Sequence, residues 1–191
     1  MKKAEFLEKF TAACQAYDAK KYQEAFELFQ PLAEMGEPVS QYRLGIFYFL
    51  GLHVKQSEQE AFQWISKSAE SNYPAALSTT GEMLLVGEGV EKDIHKGIYK
   101  LVMAAGYGSS KAQALVCLAY GHYVNDPANT YFWGLLAKNN PSGDAEQNQM
   151  VEKLMKGLQA KLTPDQIQAA KDKAANWQPT PWYPPEGLFK K

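Results

Sequence analysis

Nucleophiles, general bases and metal ligands are sparse in this 191-residue chain. Its histidines are His53, His95 and His122, and its cysteines are Cys14 and Cys117. None of these spacings sets two histidines on neighbouring turns of one helix or makes a close cysteine pair, so the sequence predicts no metal site, no cofactor and no disulfide scaffold. Gly87-Glu88-Gly89 has the glycines of a phosphate cradle but no strand pattern before it. The carboxylates are scattered among lysines, 21 Asp+Glu against 20 Lys+Arg, and read as solvated helix faces. The formal charge of −1 gives no positive field for nucleic acid. What remains for recognition is apolar. Hydrophobic residues make up 46% of the chain, enough to bury a core. No apolar run approaches the ~18 residues of a membrane span.

Helices have to position those apolar side chains. Alanine occurs 24 times against 13 for valine and isoleucine together, which favours helix over strand. A period of 36 residues runs through the chain. It relates Gly36, Asn72 and Gly108; Ala33, Ala69 and Ala105; Ala25, Ala61 and Gly97; Pro38 and Pro74; Gly45 and Gly81; Gly51 and Gly87; and Val54 and Val90. Gly36, Asn72 and Gly108 tolerate the left-handed geometry that follows a helix end. Pro38 and Pro74 suit the first turn of the next helix. Gly45 and Gly81, in mid-helix, predict close helix–helix approach. Ser57 and Asp93 are N-cap candidates in equivalent places.

Each unit thus reads as helix A, a glycine-bearing loop, helix B and a tight turn. Helix A is predicted at 38–50, 74–86 and 110–123, and helix B at 58–70, 94–105 and 127–138. The third loop is four residues shorter, closed by Asp126-Pro127. An opening pair is predicted at 3–17 and 21–34, and a closing pair at 142–160 and 163–176 with Thr163-Pro164-Asp165-Gln166 as its cap. The closing pair lacks the repeat columns and carries a polar outer face, as an array needs where it meets water. This gives a single domain over 1–177, with units of about 1–36, 37–72, 73–108 and 109–140, capping helices at 142–176, and a Pro/Trp-rich tail at 178–191.

The repeat residues resemble Sel-1-like repeats, a branch of the tetratricopeptide type. Leu44-Gly45, Tyr48, Gly51, Val54, Ala61 and Trp64 carry the likeness in one unit, and Ala76, Gly81, Gly87, Gly89, Val90, Asp93, Ala104 and Ala105 in the next. Lys100 stands where a tryptophan is usual, and Gly97 where an alanine is. The resemblance implies an all-α, right-handed α-solenoid of stacked antiparallel helix pairs that binds other proteins and shares no common reaction. It also implies that the A helices line a concave groove. On that packing the partner-binding candidates are Phe10, Tyr17, Tyr42, Ile46, Phe49, Glu82, Leu85, Leu118 and His122, with Cys14, Ser78 and Ala114 on the same faces. The alternative for each aromatic is packing between helices.

The function expected is a non-catalytic interaction module or adaptor, or an inhibitor or immunity-type protein, whose partner is another protein or a peptide segment. The competing reading is a solenoid-fold hydrolase acting on cell-wall-type ligands. Against it, Cys14 and His122 fall three units apart, too far for a nucleophile–base pair. The chain is expected to be a monomer without nucleic acid or a membrane span, cytoplasmic, or periplasmic if a leader has been removed. Trp177, Trp182 and Tyr183 either form a recognition tail or fold back over the last helix pair, and the exposure of three large apolar side chains favours the fold-back.

Overall fold

The structure is a computed structural model that describes residues 3–183. Residues 1–2, and 184–191 at the end of the tail, lie outside the described residues. Among the described residues the chain forms ten α-helices and one π-helical turn, with no strand. It divides into two compact units, one running as far as Lys92 and joined by Trp182 of the tail, the other spanning Asp93–Pro181.

The first unit holds α1 (Lys3–Asp18), α2 (Tyr22–Glu34), α3 (Pro38–Leu50), α4 (Glu58–Glu70) and α5 (Pro74–Val86), each packed on the next. The repeat columns set these boundaries. Pro38 and Pro74 open α3 and α5, and Gly51 and Gly87 close them in the left-handed region at φ 66° and 84°. Ser57 caps α4 by accepting the Glu60 N–H. Gly45 lies where α3 crosses α4, and a Cβ there would collide with the Ile65 side chain and come within 3.1 Å of the Ala61 carbonyl. The core under α1–α3 is built from Ala13, Ala16, Ala25, Phe29, Ala33, Leu44 and Phe47. Small alanines let the helices approach, and the two phenylalanines fill what remains.

The second unit holds α6 (Ile94–Gly106), α7 (Ser110–Ala119), α8 (Pro127–Asn139), α9 (Ala145–Gln159) and α10 (Pro164–Ala175). Asp93, Asp126 and Asp144 cap α6, α8 and α9, and Thr163 with Gln166 forms the expected capping box at α10. Helix α8 packs against α7, α9 and α10. One element departs from expectation. Helix α7 stops at Ala119, and Tyr120–Val124 form a π-helical turn ended by Asn125 at φ 52°. The shortened loop is the cause. With four residues fewer before Asp126-Pro127, the chain reverses through a wide turn rather than through the glycine loop of the earlier units.

Past α10 the chain is extended, and the Thr180 N–H donates to the Gly106 carbonyl at 2.9 Å. Trp182 does fold back, but not onto the last helix pair. Its indole packs in the first unit, against the turn between α4 and α5.

Candidate functional site

The 36-residue column just before each A helix is an N-cap position, and it shows what is unusual here. Glu37 accepts from the Val39 and Ser40 N–H groups, and Ser109 accepts from that of Ala112. Tyr73 holds the same place before α5 and makes no side-chain cap. A missing cap costs a helix about 1 kcal/mol, so the ring is held for another purpose. It meets Tyr42 of α3 with ring centroids 5.6 Å apart, and Trp182 at 5.1 Å. The Tyr42 hydroxyl lies 3.4 Å from Thr79 Oγ1. The Trp182 indole N–H donates to the Ser71 carbonyl at 3.0 Å. Burial raises the Tyr73 phenol above its ordinary value, and the neighbouring Tyr42 adds to the rise.

Arg43 is the only arginine of the chain. It places its guanidinium 4.7 Å from the centre of the Tyr17 ring, a cation–π contact. Tyr17 also stands edge-on to Phe47 at 5.7 Å and to Tyr22 at 6.0 Å. Phe10 packs on Phe6 and Phe29. Phe10 and Tyr17 are thus half-buried against the core, each with one side committed to packing. Tyr42, Ile46 and Phe49 follow helical spacing along α3 and are all half-buried, as are Glu82 and Leu85 on α5. At the ends of these two helices Leu50 and Val86, one period apart, are 55% and 69% exposed. Ser78 and Ala114 are closed off in the interior.

In the second unit Leu118 is half-buried on α7, and His122 is exposed on the π-helical turn with its ring against Tyr123. The structure therefore gathers Tyr42 with Tyr73 and Trp182, and Tyr17 with Arg43, all in the first unit. Spacing arguments do not find Tyr73 and Arg43, or the place that Trp182 occupies. The lone arginine and the tyrosine in a capping column are the signals the sequence offers. A hollow of about 390 Å³ also lies in the second unit, lined by Tyr131, Leu135, Val151 and Met155 among others.

The thiols are poorly suited to nucleophilic work. Burial pushes Cys117 up to about 12. Cys14 is also raised, mainly by burial, with Arg43 pulling it down and Asp18 and Glu37 adding to the rise. An activated cysteine needs the reverse balance.

Stacked antiparallel helix pairs of this kind define an α-solenoid. Sel1 repeats match residues 17–37, 38–73 and 74–99, so this part of the chain carries three Sel1 repeats. Among solved structures it is similar to a protective antigen present in uropathogenic Escherichia coli strains that displays an SLR fold. That match has a TM-score of 0.67 and 26% identity over 81% of this chain and 32% of that one. It is also similar to a Sel1 repeat protein from Oxalobacter formigenes, with a TM-score of 0.62 and 28% identity over 81% of this chain and 64% of that one. The chain thus spans less than two thirds of each. No curated protein matches it. Sel1 repeats generally mediate protein–protein interaction and are typically non-enzymatic scaffolds.

Proposed function

We propose that this chain is an adaptor that grips a partner protein along the A-helix face of its first unit, through Tyr42, Ile46 and Phe49 on α3 and Leu85 on α5. The observation that carries this reading is the exposure of Leu50 and Val86, which leaves apolar side chains in water at the same place in two successive 36-residue repeats. The near-neutral charge removes long-range steering as the main source of affinity, so buried apolar anchors supply it.

The test is capture of partners from an extract of the source organism by wild type, Phe49→Ala and Val86→Asp. Val86→Asp, at an exposed site, should change stability by less than ~0.5 kcal/mol. Loss of an interface anchor should weaken capture by about 30-fold, or ~2 kcal/mol. Undiminished capture by both folded variants would move the interface off this face. An enzyme partner that loses activity on binding would make the chain an inhibitor instead of an adaptor.

A further inference from the structure

Tyr42 and Tyr73 meet edge-on at the start of α5, and the Trp182 indole lies tilted against Tyr73. Two features make the seat specific. Tyr73, backed by Tyr42, offers a ring in place of a cap. Beside it, the Ser71 carbonyl accepts the Trp182 N–H. Ser71 comes directly after α4, where the last carbonyls have no partners within the helix. That acceptor selects an aromatic ring with an N–H, a property phenylalanine lacks.

The residue that enters is Trp182, which follows Pro179-Thr180-Pro181 in the sequence. Proline fixes φ and favours an extended chain, so little backbone freedom is lost on docking. Pro181 and Tyr183 on either side of the tryptophan are exposed, so the grip on the first unit centres on the indole.

We propose that this seat recognises a tryptophan in an extended, proline-flanked segment of a partner protein, and that Trp182 fills it as an internal stand-in until that segment displaces it. The proposal rests on the reading of the first-unit face as a protein-binding surface and names the chemistry the partner brings. A tethered competitor acts at an effective concentration on the order of millimolar. The wild-type chain should therefore bind such segments weakly, and freeing the seat should reveal the full affinity.

The probe is a fluorescent peptide of sequence Gln-Pro-Thr-Pro-Trp-Tyr, residues 178–183, titrated by anisotropy against the full chain. Trp182→Ala should bind it at least tenfold more tightly than wild type. Replacing the peptide tryptophan by phenylalanine should lose about tenfold, and adding Tyr73→Ala to the protein should abolish the gain. If Trp182→Ala is misfolded by circular dichroism, a chain ending at Pro181 serves in its place.

Equal affinity for wild type and opened seat, absence of binding to both, or indifference to Tyr73→Ala would overturn the proposal. So would a wild-type dimer that Trp182→Ala converts to monomer, since the occupant would then be the tail of a second copy. Peptide binding as expected, with no protein captured from extract, would keep the seat and sink the adaptor reading. Capture that depends on Phe49 but ignores an added peptide would do the opposite.

Discussion

Asp126 shows how one side chain can define a boundary. It accepts the backbone N–H of Asn129 at 3.1 Å and the Asn129 side-chain amide at 2.6 Å. The backbone bond from Asn129 and then the amide bond hold its carboxyl below the ordinary value; burial opposes them. The native state therefore takes up this proton less readily than the unfolded chain does. The stabilisation is fully present above the ordinary value of about 3.9 and is lost as pH falls through the lower native value. Asp126→Ala should cost about 1 kcal/mol at pH 7. Asp126→Asn keeps an acceptor and should stay within a few tenths of wild type. Urea unfolding from pH 7 to about pH 2.5 should show the gap between wild type and Asp126→Asn moving toward the asparagine variant as the carboxylate is neutralised. A gap constant across that range would mean that the charge contributes nothing to the cap.

Among the elements, helix pairing by close approach is tested at Gly45. A methyl group there meets Ile65 and the Ala61 backbone, so α3 and α4 would have to part. Alanine's better helix propensity, worth about 1 kcal/mol, works against this loss. Overpacking of this kind costs about 1–3 kcal/mol, so Gly45→Ala should be destabilising on balance, and it should cost less in an Ile65→Ala background, which lacks the γ carbon that collides. A Gly45→Ala chain as stable as wild type by thermal melting would show that α4 yields freely.

The helix ends were legible in the sequence because each carries its own local chemistry: proline at the start, glycine or asparagine past the end, and serine or aspartate as cap. The π-helical turn was not legible, since a four-residue deletion says that the loop must change but not how the backbone closes it. The seat around Tyr73 was hidden for a different reason. Trp182 and Ser71 are 111 residues apart, and no periodicity connects them.

At the scale of the whole chain, stability in such arrays is carried by neighbouring interfaces, so the last helices matter more than their absence from the repeat pattern suggests. In the second unit α8 buries Phe132, Trp133 and Leu136, and α9 brings Val151, Met155 and Leu158 into the interior. A Cβ at Gly134 would collide with the Met155 side chain and lie 3.2 Å from Cys117 Sγ, so α7, α8 and α9 meet with little space to spare. The Lys173 ammonium of α10 stands 4.3 Å from the centre of the Phe132 ring. Ending the chain after Asn140 removes α9 and α10 and returns the α8 surface to water. Three buried apolar side chains are worth roughly 1.5–3 kcal/mol each, which for a chain of this size corresponds to a fall of roughly 10 °C or more in Tm. Insolubility is the other expected outcome. A second truncation, after Trp177, keeps both helices and removes only residues 178–191, and its Tm should fall by no more than about 4 °C. Comparison of the two separates the cap from the tail. A chain ending at Asn140 that stays soluble and melts with wild type would show that α9 and α10 are an appendage and that the array ends at α8.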